Sequence, residues 1–385
     1  MSAIDSIEPL KLGERLRVAR SNAGLKQDEA AREVGLSRTT LVAVEQGQRK
    51  IRSDELRQLA ALYRISVNDL LRTEAVHVDL VPKFRKLGSN DEPSGPAASA
   101  MRLLIKLATS AVEIEARMGQ QRSFAYPPER SILPGSLEEQ AEELALELRQ
   151  RLGLGLAPLS DIVSLVEIEL GIRIFFRPLD ASISGAFVYD SAVGACILIN
   201  SNHPPERQIM TIVHELGHFM CARNDADVYL GETETSREER FVTIFSVAFL
   251  MPAAAIRRRF REFVGSGGAF TVRHLLLLAH SFGVSFEAMA RRLETLSLIP
   301  KGTFESLKDR RFAVEDAKRA TGLAAMAPLS RVPPRSTLLA IEAHRRGILS
   351  EGQLSEMLAL DRVQVRECLD SMGGEEMNDE IAVPT

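Results

Sequence analysis

The sequence contains no tryptophan, and aromatic residues make up only 5% of its 385 residues. Its three cysteines, Cys196, Cys221 and Cys368, do not have the spacing of a disulfide framework. No uninterrupted apolar stretch is long enough to cross a bilayer. Residues 1–6 have neither the basic start nor the apolar core of a signal peptide. These absences argue against a secreted, disulfide-stabilised or membrane-spanning protein, and we expect a cytoplasmic protein with reduced thiols.

Length and composition favour several packed domains. Hydrophobic residues make up 45% of the chain, and 385 residues correspond to two or three domains of ordinary size. The net charge of −4 is unevenly distributed, because residues 1–72 carry 13 basic and 10 acidic side chains while the rest of the chain is acidic overall. A mildly basic first domain on an acidic body permits contact with nucleic acid through that domain.

The strongest chemical signal is the run His214-Glu215-Leu216-Gly217-His218. In a helix, residues four apart lie on one face, so both imidazoles can bind the same zinc ion. The glutamate between them lies beside the metal, where it can take a proton from a bound water. The run predicts a zinc-dependent peptidase with His214 and His218 as ligands and Glu215 as general base. The alternative is a helix that carries two histidines by coincidence.

A catalytic zinc ion usually has three protein ligands and a water, so a third ligand must be found. No further histidine follows at the spacing of the extended zinc motif. A carboxylate on a later helix is the other common solution. Four glutamates precede the apolar helical run at 241–251, namely Glu232, Glu234, Glu238 and Glu239. Spacing alone does not choose among them.

Two smaller features near the motif suggest further roles. Gly217 is a poor helix former, and we interpret it as leaving room beside His218 for metal or substrate. Cys221 lies three residues beyond His218 on roughly the same face, so its thiolate could occupy the water position on zinc and silence the site. The same role is considered for Cys196. The alternative for both cysteines is a buried, inert thiol.

Residues 10–72 have the pattern of a small helical domain. Residues 26–37 indicate a helix, a turn at Gly35 and a serine that caps the next helix, which runs over residues 38–46 and ends at Gly47. Two short helices joined in this way are a helix-turn-helix, whose second helix enters the major groove of DNA. The candidate DNA-binding residues are Gln27, Ser37, Arg38, Thr39 and Thr40. The alternative is a helical domain used for protein contact or dimerisation.

The remaining segments divide into a linker, helices and a small sheet. A linker rich in Gly, Pro and Ser at 88–96 precedes a helix at 97–118, which is either an arm or dimer contact or an ordinary helix on the core. Strands are expected at 173–176, 186–189 and 196–199, with a hairpin turn at 190–194. A sheet edge beside the zinc helix would let a substrate strand pair with it. Further helices are expected at 137–152, 159–170, 272–282, 286–298, 336–346 and 351–372.

The motif and its flanks form a larger pattern that consists of Glu206-Arg207-Gln208, Thr211, the run at 214–218 and Phe249-Leu250-Met251-Pro252. Over residues 135–300 the chain resembles the ImmA/IrrE-type metallopeptidases. The resemblance assigns Glu239 to the family's third zinc ligand, with Glu238 as the runner-up, and implies a gluzincin-like site. The chain departs from the family at Thr243, where Asn or Asp is usual, and at Val242, where Ala is usual.

Residues 10–72 are similar to the Xre/Cro-like helix-turn-helix family. The expected fold is therefore α+β and mostly helical. It comprises an N-terminal all-α helix-turn-helix domain at 10–72, a linker and helical arm at 73–134, a zincin-like peptidase domain with a small β-sheet at 135–300, and a helical C-terminal accessory region at 301–385.

The two resemblances together imply a function. They imply an intracellular zinc endopeptidase that cleaves a transcriptional repressor, itself a helix-turn-helix protein, in a stress or phage response. They also imply double-stranded DNA as a partner of the first domain and single-stranded DNA as an activator. Two alternatives stay open: a DNA-binding transcriptional regulator whose peptidase domain is only a sensor, and an antitoxin-like interaction module.

Overall fold

The computed structural model of the chain describes residues 8–63, 65, 67–71, 95–120, 126–191, 193–223, 227–229, 236–265, 269–309, 322–324, 326–330 and 332–371. The first helices are α1 (Pro9–Asn22), α2 (Gln27–Glu33), α3 (Arg38–Glu45), α4 (Ser53–Leu62), α5 (Val67–Leu71), α6 (Pro96–Arg117), α7 (Leu137–Arg151) and α8 (Ile162–Ser164), which continues as a π-helical turn at Leu165–Glu169. The strands are β1 (Arg173–Arg177), β2 (Gly185–Asp190), β3 (Gly194–Asn200) and β4 (Asp227–Tyr229).

The later helices surround and extend the sheet. They are α9 (Pro205–Cys221), α10 (Arg237–Leu250), α11 (Ala253–Val264), α12 (Val272–Phe282), α13 (Phe286–Thr295), α14 (Thr303–Asp309), α15 (Pro334–Arg345), α16 (Glu351–Leu358) and α17 (Arg362–Ser371). The described part of the chain is thus mostly helical with a small sheet, which confirms the predicted α+β fold class.

The first five helices pack around a core of their own. Its fully buried leucines are Leu16, Leu41, Leu56 and Leu59. The α3 helix begins where Ser37 accepts a hydrogen bond from the backbone N–H of Thr40 at 3.0 Å, as predicted for a capping residue. The turn between α2 and α3 passes through Gly35 in the left-handed region, with φ 68°. The predicted helix-turn-helix therefore corresponds to α2 and α3.

The sheet has the strand order β1-β3-β2-β4. β1 pairs with β3 in parallel, and β2 forms an antiparallel hairpin with β3 that turns between Asp190 and Gly194. The sequence pattern predicts these three strands but not β4, because a three-residue strand is too short for an alternating pattern to appear. β4 pairs with residues 185–187 of β2. The chain itself therefore occupies this part of β2, and β4 is the edge strand on this side of the sheet. The docking of a substrate strand on a sheet edge stays a prediction.

Side chains alternate between the two faces of the sheet. One face, which includes Phe187 and Ile197, belongs to the largest core together with α9 and α10. The other face, which includes Val188, Cys196 and Leu198, packs against α6. The helix with the zinc motif and α6 therefore lie on opposite sides of the sheet.

The α6 helix is an integral part of this body. Leu104 and Ala108 are fully buried against the sheet. Glu115 of α6 and Arg173 of β1 form a buried ion pair, with 2.5 Å between Oε2 and Nη2. Of the two alternatives for this segment, the contacts favour an ordinary helix on the core over an arm. The predicted linker before it lies outside the described residues except for residues 95 and 96.

The last three helices, α15 to α17, also pack on this body. Ile114 and Met118 of α6 share a core with residues of all three helices. Glu167, in the π-helical turn, is 1% exposed. Its carboxylate accepts hydrogen bonds from the backbone N–H groups of Arg335 (2.7 Å) and Ser336 (3.2 Å) and from the Ser336 hydroxyl (2.9 Å). A buried carboxylate thus anchors the N-terminus of α15, where the helix dipole favours negative charge. The domain boundary at residue 301 stays a prediction.

Two predicted helices differ from the observed ones. The helix expected at 159–170 begins only after Asp161, whose side chain accepts hydrogen bonds from the backbone N–H groups of Val163 and Ser164. The helix expected at 351–372 is broken at Ala359, which adopts a left-handed conformation with φ 46°. Asp361 then accepts a hydrogen bond from the Gln364 backbone N–H at 2.8 Å and starts α17. In both places an aspartate bonds the backbone locally and marks a helix start inside the expected span.

No single helix in the described part of the chain is long and apolar enough to cross a membrane. The pair α10 and α11 reaches the necessary length and composition only when the two are joined, and they are bent by 48°.

Candidate metal centre

The α9 helix carries the predicted zinc motif through the largest core. Pro205 lies in its first turn, where a residue without a backbone N–H is well tolerated. The side chains of His214, Glu215 and His218 are buried, with relative exposures of 2%, 0% and 1%. Three ionisable groups at such depth are costly unless they are paired with one another or hold a metal ion.

Glu239 of α10 completes a three-residue cluster with the two histidines. His214 Nε2 lies 3.2 Å from His218 Nε2. These atoms lie 3.3 Å from Oε2 and Oε1 of Glu239, respectively. Ligand atoms about 2.0–2.1 Å from a tetrahedral zinc ion are about 3.3 Å from one another, so the distance between the two histidine nitrogens matches one edge of that tetrahedron. The Glu239 carboxylate places one oxygen beside each nitrogen, and one ligand atom from each residue lies within 4.8 Å of the other two. Among the described residues, this is the group of His, Cys, Asp and Glu side chains that could share one ion.

The start of α10 directs Glu239 toward the histidines. Ser236 caps this helix by accepting a hydrogen bond from the Glu239 backbone N–H at 3.0 Å. Glu238 and Glu239 consequently occupy the first turn, where the helix dipole stabilises a carboxylate. Two other sequence candidates, Glu232 and Glu234, lie outside the described residues. The structure brings Glu239 onto the motif, and its assignment as a ligand stays a prediction.

The electrostatics of the cluster suit a cation. Burial lowers the pKa of the His214 imidazole, although its hydrogen bond to Glu239 acts in the opposite direction. Burial alone would raise the pKa of the Glu239 carboxyl, but the hydrogen bonds with His214 and His218 outweigh it and hold that pKa well below its ordinary range. A neutral imidazole and an ionised carboxylate are the forms that bind metal. Two imidazole nitrogens and a carboxylate form a donor set typical of catalytic zinc.

Gly185 of β2 lies directly against the motif glutamate. A Cβ placed on Gly185 would lie 2.8 Å from Glu215 Oε1 and 2.7 Å from Thr211 Cγ2. The absence of a side chain therefore lets the Glu215 carboxylate approach the strand. The sequence pattern gives this glycine no role of its own, because its role depends on the packing of β2 on α9.

Gly217 has a different role from the predicted one. A Cβ on this residue would lie 2.7 Å from Cγ1 of Val242 and 3.2 Å from Cδ1 of Phe245, both on α10. The glycine therefore lets α9 and α10 pack closely, which corrects the interpretation that it leaves room for metal or substrate. Because α10 carries Glu239, this close packing also sets the distance between the two halves of the cluster.

We expect Gly217→Ala to destabilise the protein by about 1–3 kcal/mol, because the added methyl group overpacks the interface between the helices. Val242→Ala should restore most of this loss in the double variant, since it removes the methyl group nearest to the clash. The measurement is urea unfolding followed by circular dichroism. Gly352→Ala in α16 is the control, because its new Cβ meets only Ser350 Oγ at 4.0 Å. Equal stability of Gly217→Ala and wild type would contradict the packing role.

The two cysteines considered as metal blockers do not join the cluster. Cys196 lies on the sheet face that packs against α6, on the opposite side from α9. Cys221 ends α9, and burial raises the pKa of its thiol, with the nearby carboxylate of Glu238 acting in the same direction. Neither cysteine belongs to the group of described residues that could share one ion, which favours the alternative of inert thiols.

The predicted DNA-binding residues differ in their exposure and in the hydrogen bonds and ion pairs that they form within the first domain. Arg38 and Thr39 are exposed at the start of α3, and Arg38 pairs with Asp28 at 2.9 Å. The Ser37 hydroxyl serves as the helix cap. The Gln27 amide donates a hydrogen bond to Glu45 Oε2 at 2.8 Å. Arg38 and Thr39 are therefore the candidates best presented to a partner, and all five DNA contacts stay predictions.

Known families match both parts of the chain. Residues 168–294 match the peptidase family model described as the IrrE N-terminal-like domain. This part of the chain is therefore similar to the IrrE N-terminal-like domain. Residues 11–72 match the model of a helix-turn-helix domain. The resemblances to a metallopeptidase and to a helix-turn-helix protein are thereby confirmed.

A curated relative agrees with the first match. The radiation response metalloprotease IrrE of Deinococcus radiodurans is 34% identical over 118 residues, which are 29% of this chain and 35% of that protein. The chain therefore matches only about a third of this relative's length. The matched residues 168–294 contain the sheet, α9 and α10, and so the whole candidate centre. The match to the IrrE N-terminal-like model supports the interpretation that the chain is related to proteases. The match to the helix-turn-helix model supports a relation to regulators.

Proposed function

We propose that the chain is a zinc-dependent endopeptidase whose IrrE N-terminal-like domain holds the metal through His214, His218 and Glu239. The observation that carries the proposal is the spacing of the three side chains, since one ligand atom from each lies within 4.8 Å of the other two and the histidine nitrogens lie 3.2 Å apart. The burial of both histidines supports it, because a buried, preformed donor set excludes competing water from the ligand atoms.

The chemistry divides between the metal and one glutamate. Zinc, when bound, lowers the pKa of a bound water and polarises the carbonyl of the scissile peptide. Glu215 takes the proton of the water and passes it to the nitrogen of the leaving amine. Its position one residue after His214 would keep it beside the metal, and the missing side chain of Gly185 leaves room for its carboxylate on the side of the sheet. Replacement of Glu215 by glutamine is the decisive test of the enzyme, because it should stop cleavage while zinc stays bound.

The substrate class follows from the combination of domains. We propose that the protease cuts a transcriptional repressor with a helix-turn-helix of its own, during a stress or phage response. The support is that a DNA-binding type of domain and a protease domain share one chain, and that the relative is described as a radiation response metalloprotease. Co-expression with the helix-turn-helix repressor encoded nearest to this gene tests the proposal. An uncut repressor under inducing stress contradicts this substrate.

The helix-turn-helix supports a second activity, binding of double-stranded DNA. We expect Arg38→Ala to weaken DNA binding about 5- to 150-fold, the range expected for loss of a base contact worth about 1–3 kcal/mol. Fluorescence anisotropy with the promoter DNA of the protein's own gene measures the effect. Arg102→Ala is the control, since Arg102 is an exposed arginine of α6 outside the first domain. Equal affinity of Arg38→Ala and wild type would remove Arg38 from the interface.

The alternative function is a DNA-binding transcriptional regulator in which the protease domain is a sensor or an antitoxin-like interaction module. The helix-turn-helix match favours keeping it. The two functions differ in their dependence on Glu215. If the chain is such a regulator, the Glu215→Gln variant should repress the promoter, and release that repression under stress, as well as wild type does. If the chain is an endopeptidase, the Glu215→Gln variant should no longer change transcription under stress.

A further inference from the structure

Glu238 contacts the same histidine as Glu239, but on the opposite side of the ring. Its Oε1 lies 3.2 Å from His218 Nδ1. The other ring nitrogen, Nε2, faces His214 and Glu239 at 3.2 and 3.3 Å. His218 is 1% exposed, so its ring is held between the two carboxylates within the packed core.

The two contacts have different chemical consequences. A neutral imidazole carries a proton on one nitrogen and a lone pair on the other. A carboxylate at Nδ1 favours the proton there, because an ionised carboxylate only accepts hydrogen bonds. Glu239 faces Nε2 in the same way, so the two carboxylates compete for the proton until an ion takes Nε2. The proton would then stay at Nδ1, where Glu238 accepts it, and the lone pair of Nε2 would face the ion. Such carboxylate–histidine pairs orient metal ligands and raise their basicity.

The position of the two glutamates in α10 explains how both contacts arise. They are consecutive residues in the first turn, which Ser236 caps. The Glu239 side chain is 21% exposed, and that of Glu238 is 39% exposed. The more buried carboxylate therefore faces the ligand atoms, and the outer one faces the rear of the ring. Glu238, a candidate ligand from the sequence, belongs behind the histidine and outside the group that could share an ion.

We infer that Glu238 is a positioning residue that holds His218 in the Nδ1–H form and so presents Nε2 to the metal. This inference rests on the proposed zinc site. It predicts that Glu238 contributes to metal affinity without touching the ion. Because the carboxylate is partly exposed, solvent screens the pair and its contribution is smaller than that of a ligand.

Zinc affinity of three variants tests this role in the full-length chain. Competition with a chromophoric chelator should give about 10- to 100-fold weaker binding for Glu238→Ala. Glu238→Gln should recover part of the loss, because the amide oxygen still accepts a hydrogen bond from Nδ1. Glu143→Ala is the matched control, because Glu143 is a glutamate of α7 that lies outside the metal cluster. Its side chain is 69% exposed, compared with 39% for Glu238. The affinity of Glu143→Ala should equal that of wild type.

A second measurement observes the proton on the ring and does not depend on activity. Long-range ¹H–¹⁵N spectra of the zinc-loaded protein should show a hydrogen-bonded, slowly exchanging Nδ1–H of His218 in wild type and a faster-exchanging one in Glu238→Ala. Wild-type zinc affinity in Glu238→Ala, or equal losses in the alanine and glutamine variants, would overturn the inference. Failure of the wild type itself to bind zinc would instead reject the proposed metal centre, so the two failures are distinguishable.

Discussion

Glu215→Gln is expected to abolish proteolysis while zinc remains bound. Glutamine has nearly the same size as glutamate, and the side chain is fully buried, so the variant should fold and keep both histidines in place. It has no carboxylate to accept the proton of the attacking water. General base catalysis contributes about 10²- to 10⁴-fold to rates, and kcat should fall by at least that range.

The measurement is cleavage of the co-expressed helix-turn-helix repressor, followed on gels over time, together with the zinc content of the purified protein by elemental analysis. Glu143→Gln on α7 is the matched control, because it makes the same chemical change at an exposed position. It should cleave at the wild-type rate. Cleavage by Glu215→Gln at a rate close to wild type, with zinc bound, would remove Glu215 from the reaction.

Glu239→Ala has the second large expected effect, on the metal itself. The carboxylate contacts both imidazoles at 3.3 Å, and its loss leaves two ligands where a catalytic zinc site normally has three. Zinc affinity should fall by more than about 100-fold, which exceeds the loss expected for an outer hydrogen-bond partner. Proteolysis at limiting zinc should fall in parallel, because activity requires the bound ion.

Chelator competition on Glu239→Ala and Glu238→Ala under the same conditions compares the two neighbouring carboxylates directly. The expected order is a severe loss for Glu239→Ala and a moderate one for Glu238→Ala. The reverse order would exchange their roles and make Glu238 the ligand. Saturating zinc provides a further check, since it should restore activity to Glu238→Ala at metal concentrations that leave Glu239→Ala inactive.

The local features of both domains could be predicted from the sequence. The motif at 214–218 can be recognised because its residues lie within about one helical turn of one another. The turn at Gly35 and the cap at Ser37 likewise depend only on residues close in sequence. Strands β1, β2 and β3 could also be predicted from the sequence, because alternating apolar residues and a hairpin turn form a short-range pattern. A three-residue strand such as β4 leaves no such pattern, and its existence depends on the neighbouring strand that it pairs with.

Features that depend on contacts between elements distant in sequence were harder to predict from the sequence. Gly217 had a sequence interpretation as space for a ligand, but Val242 and Phe245 of α10 fill that space. Gly185 had no role until β2 was packed on α9. The anchor between Glu167 and the start of α15 joins segments far apart in sequence, and no spacing rule predicts it. In each case the role of the residue depends on which residues of another element pack against it, and the residue's own sequence neighbourhood does not show them.

The sequence by itself determined that His214 and His218 share one helix face, because residues four apart in a helix lie on the same face whatever surrounds it. Resemblance to known metallopeptidases added Glu239 as the expected third ligand. Only the tertiary structure decided how the two adjacent glutamates divide their contacts, with Glu239 toward Nε2 of His218 and Glu238 toward Nδ1. The physical reason is that this division depends on how α10 packs on α9, and a one-residue step along a helix turns a side chain by about 100°.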